Sequence, residues 1–201
     1  MINFKYHDVI YNGMKFKLAS VTSLIAAYVD QDLMGDSSFI PKSPTSENIG
    51  KKGHAAIDYL IKGNKIDDIM WENMPLYAQN VVKAYLDWKR KVGFRPRQSE
   101  FVVYSLTHAY AGQVDAIGTI KRHVALRDWV SAKPYLERKA MQVSAYTKAY
   151  LEMYPGRSIT NSGIVELNKF TGQWIEYILT DNQVDEYFEQ FLQNKKTLGI
   201  I

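Results

Sequence analysis

Residues 110–150 read YAGQVDAIGTIKRHVALRDWVSAKPYLERKAMQVSAYTKAY, and the periodicities of this stretch decide the fold. Gly112–Ile120 and Val124–Val130 are short apolar or alternating runs separated by a polar turn at Lys121–His123, which predicts two neighbouring antiparallel strands. A helix follows from Tyr135 to Tyr154 and stops at Pro155-Gly156. In the second strand Leu126, Asp128 and Val130 share parity, and therefore one face of the sheet. An ionised carboxylate among apolar neighbours needs a cation or hydrogen bonds. A second acid on the adjacent strand, Asp115, repels it unless one is protonated or a cation lies between them. A divalent ion shared by the two removes both difficulties, and oxygen ligands favour Mg²⁺ or Mn²⁺. Any two aspartates taken alone are more often turn or edge-strand residues, so the flanking sequence has to decide.

Working outward, Phe4–Tyr11 and Met14–Leu18 flank Asn12-Gly13, a two-residue hairpin signal. A helix capped by Ser20 or Thr22 runs to about Asp32, and Gly35–Pro44 reads as a loop. Helices are expected at Ser46–Lys62, carrying His54, and at Leu76–Val92, ended by Gly93 and Pro96. Strands are expected at Glu100–Ser105, Tyr110–Ile120 and Val124–Val130, then at Ser162–Lys169 and Trp174–Leu179, with a closing helix from Asp181 to Lys195. This order suits a mixed α/β sheet flanked by helices. The expected organisation is one domain over 1–201, with an N-terminal hairpin and helical part (1–95) and a sheet core with crossover and C-terminal helices (96–201).

Five short motifs fall in a fixed order: G-x-x-x-H at Gly50–His54, then Glu100, G-x-x-D at Gly112–Asp115, D-W-x-S at Asp128–Ser131, and Q-x-x-A-Y at Gln142–Tyr146. Each is weak alone; the ordered set resembles the PD-(D/E)XK nuclease superfamily, in particular its RecB-like exonuclease branch and the mitochondrial genome maintenance exonuclease type with its phage and viral relatives. The resemblance spans roughly residues 18–195. It implies a restriction-endonuclease-like core and a divalent-metal-dependent DNA nuclease, an exonuclease more than an endonuclease, acting on single-stranded ends. It also implies Mg²⁺ or Mn²⁺ held by Asp115 and Asp128, with His54, Glu100 and the carbonyl of Trp129 as further ligands. Ser131, Arg138, Gln142 and Tyr146 would then meet DNA. For Gln142 and Tyr146, a buried pair bracing helix against sheet is a nearly equal reading.

One position departs from the family pattern. The lysine two residues after the second acid, which would orient water and stabilise phosphate charge, is replaced by Val130. Two other lysines are candidates by geometry to stand in: Lys139 shares a helical face with Gln142 and Tyr146, and Lys133 lies just beyond the strand. Otherwise the domain is a catalytically impaired DNA-binding module, or position 130 carries a substitution. A third reading makes the acids ordinary salt-bridge partners.

Composition bounds these readings. The 201 residues are 46% hydrophobic and 23% charged, enough to bury one sizeable core. With no cysteine, thiol catalysis, disulfides and a Cys-ligated iron–sulfur cluster are excluded for this chain. A net charge of +4 permits nucleic-acid binding without demanding it. Basic residues interleave with aromatics at Lys89–Arg97 and around Lys133–Lys148; such charges usually form a solvated face, but the interleaving would suit a single strand with phosphates on cations and bases on rings, and the resemblance implies a channel for such a strand. His7, His108 and His123 match no motif and are expected to be solvated. The longest early apolar run, Leu24–Val29, is too short to span a bilayer, so no membrane role is expected. The expected location is the cytoplasm of a prokaryotic or virus-infected cell.

Overall fold

The computed structural model describes residues 4–33, 44–131 and 135–200, with side chains left out at 29–33 and 44–50. Lys133 and the Gly35–Ser43 part of the expected loop lie outside the described residues. The chain begins with a hairpin, β1 (Tyr6–Tyr11) and β2 (Met14–Ser20), whose turn uses Asn12 at φ 48° and Gly13 at φ 76°. Two successive positive-φ residues give the turn a twist that matches the strands. Four helices follow: α1 (Val21–Leu33), α2 (Pro44–Ile61), α3 (Asp68–Glu72) and α4 (Leu76–Val92). Gly93, in the left-handed conformation at φ 71°, ends α4, and its N–H bonds back to the Lys89 carbonyl.

The sheet proper comprises β3 (Phe94–Ser105), β4 (Tyr110–Ile120) and β5 (His123–Val130), then β6 (Asn161–Leu167) and β7 (Trp174–Leu179) after the crossover helix α5 (Leu136–Met153). The closing helix α6 (Asp181–Thr197) has a capping box between Thr180 and Gln183. Strand β3 begins at Phe94, six residues before the expected Glu100. Pro96 does not end the chain's regular structure; it sits where the β3–β4 register shifts, between Pro96 and Gln98. A bulge tolerates a residue without an N–H to donate.

The result is one mixed seven-stranded sheet in the order β1-β2-β4-β5-β6-β7, with β3 also paired to β4 and helices on its faces. Strand β3 covers one edge of β4 from Tyr110 to Ile120. Both β2 and β5 therefore meet the opposite edge, and they divide it. Strand β2 pairs in parallel with Tyr110 and Ala111 only, whereas β5 pairs antiparallel from Ala116 to Ile120. Between them, Gly112–Asp115 is paired with neither, and the sheet forks.

Two cores hold the fork. On one face Leu126 and Val130 join Val103, Val114, Ala145 and Tyr146 beneath α1, α5 and α6. On the other, Trp88, Phe94 and Trp129 pack with Tyr85, the Trp88–Trp129 rings crossing at 71° with centroids 5.2 Å apart. Burial of such rings supplies the largest apolar areas per residue and fixes the orientation of β5 against α4. Arg127, wholly buried on this second face, is neutralised by Glu176 at 2.9 Å and satisfied by Asn161, as a buried guanidinium requires.

Candidate active site in the fork of the sheet

The β4–β5 ladder ends at Ala116↔Arg127, one residue before Asp115 and Asp128 would stand opposite each other. Asp115 there accepts the Trp129 backbone N–H on Oδ2 at 2.7 Å, a side chain replacing the ladder partner. Asp128 is buried. Its Oδ2 accepts from Lys139 Nζ at 2.6 Å and its Oδ1 from Gln142 Nε2 at 3.0 Å. The same Gln142 amide donates to the Tyr146 hydroxyl at 2.9 Å, so Lys139, Gln142 and Tyr146 present one face of α5 to the acids. Tyr146 lies against Gly112, where any Cβ would overlap its ring. This close approach is what requires glycine at the start of the unpaired β4 edge.

The other members come from α2 and β3. Gly53 lets α2 close on α4, since a Cβ there would lie 2.7 Å from Val81 Cγ1. The next residue, His54, places Nδ1 3.8 Å from Asp115 Oδ2. Glu100 lies between the register pairs Ser99↔Ala116 and Phe101↔Val114, hence opposite Asp115, in the left-handed conformation at φ 49°. Its carboxylate accepts from Gln113 Nε2 at 2.6 Å. All these groups line one cleft of about 360 Å³, whose far wall is formed by Lys5, Tyr6, His7, Ser20 and Thr22 of the hairpin and the start of α1.

The electrostatics are those of three acids of which one, Asp128, is bonded to a cation, Lys139. Burial, and then the Asp128 charge, push the Asp115 carboxyl well above the ordinary carboxylate range. Glu100 is also raised, by burial and by Asp58. Burial alone would lower Lys139, yet Asp128 and Asp115 beside it raise its pKa and keep it an ammonium. Burial lowers His54 to about 4, so its imidazole is neutral at physiological pH and available as a metal ligand. Tyr146 is raised by burial and by the two aspartates, and stays a phenol.

Among the described residues, no group of three or more His, Cys, Asp or Glu is arranged to hold a metal ion. Asp128 is engaged by Lys139 and Gln142, and Asp115 by a backbone N–H. A hard cation such as Mg²⁺ nevertheless needs only one or two protein carboxylates, its remaining ligands being waters and substrate phosphates. The donor set fits on chemistry: oxygen ligands, a neutral imidazole, and a buried acid whose charge lacks sufficient compensation.

Of the other residues singled out from sequence, Val130 is packed in the core beside Leu126. Ser131 and Arg138 lie outside the cleft wall, the Arg138 guanidinium sitting 4.7 Å over the Tyr135 ring. In the first basic cluster, Arg90 and Lys91 are both paired with Asp87 at 2.9 and 2.8 Å. His7 is not a solvated bystander: it lines the cleft, and burial lowers its pKa. His108 packs edge-on against Phe188. Lys5, Tyr6 and His7 were not legible as site residues, because the parallel β2–β4 contact that delivers the hairpin joins residues far apart in sequence and leaves no local periodicity.

No protein-family model matches the chain, and no curated protein does. Among solved structures, a candidate exonuclease from Eubacterium rectale is similar in fold: TM-score 0.53 at 13% identity, over 90% of this chain and 82% of that one. The structure of SSO0001 aligns over 85% and 84% of the two chains at 13% identity, but its TM-score of 0.32 carries no argument. The mixed sheet flanked by helices is thus shared with a protein described as a nuclease.

Proposed function

We propose that this chain is a divalent-metal-dependent deoxyribonuclease of the PD-(D/E)XK type, an exonuclease that hydrolyses phosphodiester bonds at single-stranded ends. The observation that carries the reading is the convergence of Asp115, Asp128 and the Lys139 ammonium in the fork of the sheet, with Lys139 Nζ 2.6 Å from Asp128 Oδ2. The fold shared with a candidate exonuclease agrees with it.

In this reading Asp115 and Asp128 hold Mg²⁺ or Mn²⁺, with His54 and Glu100 in reach of the same cleft. Such an ion neutralises phosphate charge and lowers the pKa of bound water. The chain's own residues do the positioning. The Trp129 N–H and the Gln142 amide fix the two carboxylates, and Tyr146 in turn fixes Gln142. Lys139 takes the part of the missing lysine: kept protonated by the acids, it turns from Asp128 to a phosphate oxygen or the attacking water and donates a hydrogen bond there. The side chain is 28% exposed, which leaves it room to turn.

The competing reading is a catalytically impaired nuclease fold retained as a DNA-binding module, and the burial of Val130 favours it. Degradation of end-labelled single-stranded, double-stranded and circular DNA with Mg²⁺ or Mn²⁺ separates the two. The nuclease reading expects loss of linear single strands, abolished by Asp128→Asn and reduced about 10²- to 10⁴-fold by Lys139→Met. Binding without cleavage under every condition, restored to cleavage by Val130→Lys, supports the impaired module instead.

A further inference from the structure

The far wall of the cleft has a composition that the acids do not explain. In β1, Tyr6 is 50% exposed, and Lys17 Nζ lies 5.1 Å from the centroid of its ring. The β1–β2 register places Lys17 opposite Asp8, but Asp8 is taken by Lys15 at 3.0 Å. Among the described residues no carboxylate pairs with Lys17 or with Lys5. Lys5 and Tyr6 line the same cleft as Asp115 and Asp128, and Lys17, beside the Tyr6 ring, adds a second cation just outside that lining. The backbone there is pinned: the Ser20 N–H bonds to the Lys5 carbonyl at 2.9 Å, and the Lys5 N–H to Ser23 Oγ at 3.1 Å. The wall is therefore held in place, with the ring edge of the hairpin facing solvent.

We infer that this hairpin face, Lys5, Tyr6 and Lys17, is the track along which a single DNA strand reaches the acids, a base stacking on Tyr6 and phosphates lying on Lys5 and Lys17. Cations alternating with an aromatic platform suit a single strand, because only an unpaired base exposes a face for stacking. The inference rests on the nuclease reading for its substrate and adds the residues that would select single strands.

The test is binding of a fluorescent oligonucleotide, single-stranded or as the blunt duplex, to the intact protein in EDTA, read by anisotropy over a salt series. Tyr6→Ala is expected to weaken single-strand binding about 5- to 100-fold with little effect on duplex binding, and Tyr6→Phe to retain it. Lys17→Gln is expected to reduce the slope of log K against log salt by about 0.7. Both positions are exposed, and an unchanged melting temperature establishes that each variant is folded. Single-strand binding that Tyr6→Ala leaves unchanged overturns the track, even if the parent protein degrades DNA. Binding lost in Tyr6→Ala, in a parent that never cleaves, upholds the track and removes the nuclease reading. A parent that binds no single-stranded oligonucleotide overturns the track.

Discussion

Replacing Asp115 with Asn tests the charge imbalance at the centre of the site. Glu100, Asp115 and Asp128 share a cleft in which Lys139 is the ammonium bonded to an acid, and Asp115 carries the consequence: burial first, and Asp128 second, raise its pKa well above the usual range. In the unfolded chain the carboxyl titrates near 3.9. An acid whose folded pKa is the higher of the two binds more protons when folded, so its cost is absent below about pH 4 and grows as pH rises toward the folded value. This is the reverse of a salt-bridged aspartate. The amide removes the cost and keeps an oxygen for the Trp129 N–H. Each unit of pKa elevation is worth about 1.4 kcal/mol, and a domain of this size moves about 2–4 °C per kcal/mol. Asp115→Asn should therefore melt about 3–6 °C above the parent at pH 8 for every unit of elevation, and level with it at pH 3.5. Mg²⁺ or Mn²⁺ at a hundred times its Kd should stabilise the parent by about 2.7 kcal/mol, about 5–11 °C, and the variant by much less. Thermal melts followed by circular dichroism across pH, with and without the ion, decide the matter. A variant that melts below its parent at pH 8 refutes the charge argument, and a parent unmoved by either ion refutes the metal.

Three further substitutions probe the parts around this acid. Glu100→Gly relieves a left-handed backbone that costs an L-residue about 1–2 kcal/mol; melting should rise by a few degrees while DNA cleavage falls, the pattern of strain kept for function. Gly112→Ala drives a methyl into the Tyr146 ring and should cost about 1–3 kcal/mol in urea unfolding, with loss of activity as the Tyr146–Gln142–Asp128 chain shifts. Lys139→Met leaves Asp128 beside Asp115 without a cation. Breaking a fully buried pair costs about 3–5 kcal/mol, and solvent at the 28%-exposed lysine reduces this to about 1–3 kcal/mol, measurable in the same unfolding experiment.

What the sequence carried was whatever local geometry encodes. Lys139, Gln142 and Tyr146 stand three and seven positions apart, so their common face follows from the helical repeat alone, and the structure turns that face to Asp128. Asn12-Gly13 and Gly93 announce positive φ and are found there. Asp128 shares a face with Leu126 and Val130 because strands alternate, and all three are buried. What it did not carry was the fork. That β2 pairs with the first two residues of β4 while β5 takes only its second half is a contest between strands distant in the chain, settled by packing of the two cores. The hairpin wall depends on that contest and was invisible without it.

The fork also accounts for Val130. Beyond the end of the β4–β5 ladder, β5 continues alongside β6, its only remaining strand partner among the described residues, with Val130 opposite Glu166. An apolar residue there closes the core beneath α5, and the cation for Asp128 comes instead from α5 itself, through Lys139. An ammonium on the helix puts a cation at Asp128 while leaving position 130 to a residue the core can bury. A lysine restored at position 130 would have to displace that packing or reach past it. Val130→Lys should therefore destabilise the parent by about 1–3 kcal/mol, yet recover part of the activity lost in Lys139→Met, since both side chains approach Asp128 from one face of the sheet. Unfolding and cleavage assays on the single and double variants measure this directly. A double variant as inactive as Lys139→Met alone, though folded, would show that position 130 no longer addresses the site and that Lys139 acts by something other than replacing it.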